Sequence, residues 1–231
     1  MSQHVQWSLQ RSQAERGSPR ELRSHSQRLL AYLLQEFRHD SLAQYHIDSR
    51  GRRGRPRRPI AFVKSHASEE HSREWSLVHQ RLSISHISRA VSAAVSNHRV
   101  GIDIVDGQLK LSDGFARTWF DERERVTIGD LPIAAFWAAK EAAYKAHCRC
   151  DTFSPRQWKI VTVTNDSRFE PDVINCRVAK HRDSNPSRWA YVRIIRRAEF
   201  VIALATATAN PVLEEKLIPS SFSTSLIESA S

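Results

Sequence analysis

Three short segments hold the side chains best suited to chemistry. Ser83-Ile84-Ser85-His86 reads as a strand ending in a hydroxyl and an imidazole, both able to donate to phosphate oxygens. Val100-Gly101-Ile102-Asp103-Ile104-Val105-Asp106 is an apolar strand interrupted by a carboxylate, and the Gly before it lets another backbone or a ligand come close. Burying Asp103 unpaired would cost several kcal/mol, so it calls for a cation or strong donors, and a hard metal ion would serve. In the third segment Trp137, Glu141 and Lys145 recur at intervals of four and share one helix face, with Lys140 beside them. That face offers a carboxylate and an ammonium to a single ligand. Taken singly, each segment has an ordinary explanation: a satisfied turn, a strand-end cap, and an i,i+4 surface ion pair.

The elements that must position these groups follow from the apolar pattern. Leu22, Leu29, Leu30, Leu33, Leu34 and Phe37 recur near helical spacing behind Ser18-Pro19, a cap and first-turn signal, which predicts a helix over 19–38. From Leu82 to Ile104 short β-branched stretches broken by Ser, Asn and Gly predict strands joined by tight turns. Phe115, Trp119, Phe120 and Val126 begin a second helical region, followed by the Ala-rich stretch Leu131 to Ala146 with Pro132 in its first turn. Segments 158–163, 173–178, 189–195 and 200–206 predict an antiparallel sheet, and the Ser-rich tail from Asn210 is expected to be loosely attached.

Composition sets the outer limits. With 231 residues, 40% of them hydrophobic and 26% charged, the chain has enough apolar material for a core, which excludes disorder over most of its length. No apolar run approaches the roughly 20 residues needed to cross a bilayer and the first residues are polar, so a cytoplasmic protein without membrane association is expected. Three cysteines, Cys148, Cys150 and Cys176, are an odd number in a chain that needs no staples, and reduced thiols are expected. His147-Cys148-Arg149-Cys150 lacks a second ligand pair at zinc spacing. The net charge is +10, and much of it sits in Arg50 to Arg58, where six of nine residues are Arg. With Pro56, Pro59 and two Gly this segment reads as a loop that attracts polyanions: nucleic acid, a phosphorylated cofactor or an acidic protein surface.

Taken in order, these residues resemble the signatures of the 4′-phosphopantetheinyl transferases. The matching segments are Gly54-Arg55-Pro56, Ser83-Ile84-Ser85-His86, Val100-Gly101-Ile102-Asp103, Phe115-Ala116-Arg117 with Phe120 and Glu124, and the run Trp137 to Lys145, which contains Lys140-Glu141-Ala142. Arg28, before Leu29-Leu30, is a further match. The resemblance implies transfer of the phosphopantetheine arm of coenzyme A to a serine of an apo acyl or peptidyl carrier protein, with Mg²⁺ and release of adenosine 3′,5′-bisphosphate. It implies Asp103 and Glu141 as metal ligands, and Glu141 as the base that takes the serine proton. Lys145 would stabilise charge on the attacked phosphate. Ser85, His86, Arg55, Arg28 and Lys140 would serve the coenzyme, with Lys140 one layer back. The remaining Arg residues, Arg52, Arg53, Arg57 and Arg58, would steer toward an acidic carrier helix.

The family often carries a second acid two residues after the strand Asp, where this chain has Val105. Asp106 comes one step later, and a single step along a strand reverses side-chain direction, so two protein carboxylates are expected on the metal. Longer members fold as two similar α+β halves related by a pseudo-twofold, with the active site in the cleft between them. The fold class expected is therefore α+β, as a monomer with halves at 1–99 and 100–209 and a tail at 210–231.

Two rival readings start from the same residues. Arg53-Gly54-Arg55-Pro56 flanked by Arg is also the core of an AT-hook, which inserts Arg side chains into the narrow minor groove of A·T-rich DNA. There is one such segment and no evident recognition helix, and DNA binding leaves Asp103, Glu141 and Lys145 without a role. A family member that binds carriers without transferring anything is the other rival. The presence of Asp103, Lys140, Glu141 and Lys145 together argues against it.

Overall fold

The computed structural model describes residues 3–11, 18–50, 56–64, 75–147, 152–164, 172–181 and 189–218. Strand β1 (His4–Arg11) is followed by helix α1 (Pro19–Arg38). Ser18 and Glu21 form a capping box at its start, Pro19 occupies the first turn, and His39 ends it in the left-handed conformation. Its buried stripe, Leu22, Leu29, Leu30, Leu33 and Leu34, lies over β5 (Arg81–Ile87) and β6 (Ala90–Ser96), with Leu82, Val91, Ala93 and Val95 beneath it.

Those two strands form a hairpin with Ser88 and Arg89 at its tip, and with β1 and β12 (Val212–Glu215) they make a four-stranded sheet in the order β12-β1-β6-β5. β12 runs parallel to β1, with Val212 beside His4. Residues 212–215, expected in a loose tail, are thus part of this sheet. Four residues with no alternation of exposed and half-buried positions give no strand signal in a Ser-rich context.

A three-stranded sheet contains β2 (Gln44–Arg50), β3 (Pro56–Lys64) and β4 (Ser76–Leu77). The Arg-rich stretch expected as a loop is therefore strand at both ends, with Arg50 closing β2 and residues 56–58 opening β3. The prolines are tolerated because β4 covers only Phe62 and Val63 of β3, and the β2–β3 register is irregular between Asp48 and Arg50, opposite Pro59.

The second sheet is antiparallel throughout, in the order β7-β11-β10-β9-β8. Its strands are β7 (Val100–Asp106), β8 (Trp158–Thr164), β9 (Val173–Lys180), β10 (Ala190–Arg197) and β11 (Phe200–Thr206). Between β7 and β8 lie α2 (Asp113–Trp119), α3 (Glu122–Ile128) and α4 (Ile133–His147). Seven alanines of α4 are buried on this sheet, and such small side chains let the helix backbone settle close to the strands. The fold is α+β with mixed sheets.

The alternation along β7 assigns its two faces. Val105 joins the α4 core, whereas Val100, Ile102 and Ile104 enter a third cluster with Val5, Trp7, Ala90 and Ala94 of the first sheet. This cluster crosses the boundary expected at 99/100, so the two sheets share apolar core.

Candidate active site

Gly101 explains how α4 comes to lie over β7. A Cβ at this position would stand 2.0 Å from the Ala142 carbonyl oxygen and 2.6 Å from the Ala146 nitrogen. The space that a glycine provides in the strand is thus taken by helix backbone. Two residues along the same face of β7 comes Asp103, 4% exposed. Its Oδ1 accepts from Lys145 Nζ of α4 at 2.7 Å and from Ser85 Oγ of β5 at 2.7 Å. Lys145 Nζ also donates to the Ile102 carbonyl at 3.2 Å. Ser83, on the same side of β5 as Ser85, accepts from the Ile102 N–H at 3.0 Å. Two serines of one strand thereby tie β5 to β7 without a ladder between them.

Glu141 lies one turn before Lys145 on α4. Burial, and next the charge of Asp103, raise its pKa above the ordinary carboxylate value, opposed by Lys145 and by a hydrogen bond with Trp137, whose indole N–H is the donor. The Trp137 ring is wedged among Phe115, Trp119 and Phe153, with centroids 4.9, 5.9 and 5.6 Å away. The aromatic residues of α2 therefore fix the indole that in turn fixes the Glu141 carboxylate.

On the opposite side of β5 from Ser85, His86 is exposed. Partial desolvation and then the charges of Lys145 and Arg23 lower its pKa, with Asp103 acting in the other direction. Arg23 is the α1 cation that comes within range of this imidazole. Beside it, Arg20, Arg23, Ser24 and Gln27 of α1 face His46, Asp48 and Ser49 of β2 across an open cavity of about 370 Å³.

The structure thus brings Ser85, His86, Asp103, Glu141 and Lys145 together from β5, β7 and α4. Arg28 faces elsewhere: its charge acts on His25, which bonds Gln10 of β1 at 2.5 Å. Helical spacing carries the distinction, since Arg23 falls beside Leu30 and Leu34 at the edge of the apolar stripe and Arg28 falls away from it. Arg55 and Gly54 lie outside the described residues, as do Arg52, Arg53, Cys148 and Cys150.

Lys140 does not reach the group around Asp103. It is fully buried, with Nζ 2.7 Å from Glu124 Oε1, 2.9 Å from the Trp119 carbonyl and 4.1 Å from the Phe120 ring centroid. Glu124 also accepts from the Ile160 N–H at 2.9 Å and from Lys159 at 3.4 Å. Phe120, Glu124 and Lys140 therefore form one buried polar node joining α2, α3, α4 and β8. Their joint occurrence in the sequence with an apolar surround is the signal for such a node.

Asp106 is also accounted for elsewhere. It forms an ion pair with Arg89 and accepts from the Gln108 N–H at 2.9 Å, on the other side of β7 from Asp103. Among the described residues no cluster of three or more His, Cys, Asp and Glu side chains could hold a metal ion. Asp103 and Glu141 remain as a pair of carboxylates whose charges act on one another, in a partly buried setting with hydroxyl and ammonium donors. The two carboxylates, oxygen ligands and few in number, fit a hard cation that keeps part of its water, and do not fit a closed zinc cage.

The family model for the 4′-phosphopantetheinyl transferase superfamily matches residues 99–205, so a domain of that class is detected there. The matched span holds Asp103, Glu141 and Lys145, whereas Ser85, His86 and Arg23 lie before it. No curated protein matches the chain. Among the described residues no helix is long and apolar enough to cross a membrane.

Proposed function

We propose that this chain is a 4′-phosphopantetheinyl transferase that moves the phosphopantetheine arm of coenzyme A to a serine of an apo acyl or peptidyl carrier protein. The observation that carries the reading is the convergence of Asp103 and Glu141 from two distant segments, with Lys145 bonded to Asp103 and its charge felt by Glu141, inside the stretch matched by the family model. The serine oxygen attacks the phosphorus that bears the pantetheine arm, the bond from that phosphorus to the bridging oxygen breaks, and adenosine 3′,5′-bisphosphate leaves. Glu141 accepts the serine proton, a role suited to a carboxylate whose basicity burial and Asp103 have raised. Lys145 stabilises negative charge on the phosphate under attack. Ser85 holds Asp103 in place, and His86 with Arg23 receives the nucleotide phosphates. A magnesium ion held by Asp103 and Glu141 would neutralise the diphosphate and the departing phosphate.

The reading includes two α+β halves, residues 1–99 and 100–209, related by a pseudo-twofold with the site between them. Support comes from the repeated plan of one long helix over a sheet, α1 over the antiparallel β5–β6 hairpin of the first and α4 over the second, and from β5 and β7 lying side by side. The test is incubation with coenzyme A, Mg²⁺ and a panel of apo carrier proteins, followed by intact mass. Addition of one phosphopantetheine to at least one carrier is expected; no addition to any fatty-acid, polyketide or peptide carrier would overturn the proposal.

A further inference from the structure

We infer that Arg58 is a positioning residue: from β3 it clamps the C-terminal end of α4 and so sets where Lys145 and Glu141 stand relative to Asp103. Its Nη2 donates to the Lys145 carbonyl at 2.7 Å and to the Ala146 carbonyl at 2.8 Å, across 87 and 88 residues of chain. These carbonyls belong to the last turn of α4, where backbone oxygens have no partner within the helix and the helix dipole is negative, so a guanidinium satisfies both needs. Lys145 is then held at both ends, its carbonyl by Arg58 and its ammonium by Asp103 and the Ile102 carbonyl. The clamp acts on the same turn that rests on Gly101 through Ala142 and Ala146.

The anchor is firm. Pro59, next in sequence, is buried and fixes its own φ, and Ala61 two residues further is fully buried in the α1 core. Arg58 therefore turns inward to the helix and is not among the side chains available for steering toward a carrier.

That Arg58 acts on catalysis rests on the transferase reading; that it holds the end of α4 does not, and the experiment separates the two. Arg58→Ala and Arg58→Lys are made in the full chain, alone and with Lys145→Ala, and followed by transfer kinetics and by amide hydrogen exchange over α4. Arg58→Ala is expected to lower kcat by about tenfold or more while KM for coenzyme A and for carrier stays within about twofold. Arg58→Lys should recover part of the loss, because an ammonium supplies the charge but not the fork. In the Lys145→Ala background Arg58→Ala should cost less than it does alone, because only the displacement of Glu141 is left to be felt, and the last-turn amides of α4 should exchange faster in Arg58→Ala than in the unsubstituted protein. A raised KM at unchanged kcat would make Arg58 a substrate ligand and overturn the inference. The same loss with or without Lys145, or unchanged exchange at the end of α4, would also overturn it. Absence of transfer by the unsubstituted protein would remove the transferase reading, and the exchange result would still decide the clamp.

Discussion

Substitution of Gly101 by alanine tests how the site is assembled. The new methyl would lie 2.0 Å from the Ala142 carbonyl oxygen and 2.6 Å from the Ala146 nitrogen, both backbone atoms that no side-chain rotation can move. Restoring ordinary contact at 3.4 Å requires α4 to retreat from β7 by about 1.4 Å. The Lys145–Asp103 bond, 2.7 Å long, would then be stretched beyond hydrogen-bond range, and Glu141 would shift by a similar amount. A displacement of about 1 Å at reacting groups costs on the order of 100-fold in rate, and the overpacking itself costs about 1–3 kcal/mol in stability. Transfer kinetics at saturating Mg²⁺, together with denaturant unfolding, read both effects. Gly114→Ala serves as control, since its Cβ would meet only Ser112 Oγ at an ordinary 3.7 Å, and it should leave the rate unchanged. A Gly101→Ala protein with kcat/KM within threefold of the parent, at a stability lowered by less than about 0.5 kcal/mol, would refute the packing argument.

Other perturbations separate structure from chemistry. Lys140→Met should destabilise by about 1–3 kcal/mol in denaturant titration, because it takes away the nearest cation of the buried Glu124 and leaves Lys159, 3.4 Å away, as its remaining ion pair, while KM for coenzyme A stays unchanged; a raised KM at full stability would return Lys140 to the coenzyme site. Ser85→Ala should lower kcat/KM about tenfold by freeing the Asp103 carboxylate, with KM for coenzyme A little altered; an effect confined to KM would instead make Ser85 a phosphate ligand. Folding raises the Glu141 pKa, so the metal-free protein gains stability from protonated Glu141 in acid and loses it as pH climbs through the raised folded-state value. Glu141→Gln should therefore raise Tm near neutral pH and leave it unchanged near about pH 4, and equal melting at both would contradict the assignment. The His86 pKa is lowered in the folded protein, so stability falls as pH drops below the ordinary imidazole value, and His86→Asn should flatten that part of the profile in thermal melts; an unchanged slope would exclude His86 as its source.

Sequence reasoning located α1 and α4 because each carries a strong periodic or propensity signal with a defined start: the Ser18 capping box in one, Ala after Pro132 in the other. The alternation in β7 likewise separated Asp103 from Asp106, and the structure turns the two to opposite sides. Tertiary partners decided the rest. Lys140 and Lys145 stand near the same carboxylate, one adjacent to Glu141 and the other four residues beyond it, yet helix phase sends Lys140 into a buried node with Glu124. Arg23 and Arg28 are the same residue type five positions apart, and only the orientation of α1 on its sheet selects which one meets His86. Nothing local marks Arg58 as different from its Arg neighbours, because its acceptors lie 87 and 88 residues away. β12 was hidden for the same reason: a four-residue strand is defined by the edge of β1 that it pairs with, not by its own composition.

A crystal structure with Mn²⁺ and coenzyme A, phased on the anomalous signal of the metal, addresses the shared-ion geometry most directly. The account requires one ion bonded to an oxygen of Asp103 and an oxygen of Glu141, at about the 2.0–2.2 Å typical of small hard cations, with a coenzyme A diphosphate oxygen in the same shell. An ion bound by only one of these carboxylates, or coenzyme A seated with its diphosphate away from both, would contradict it.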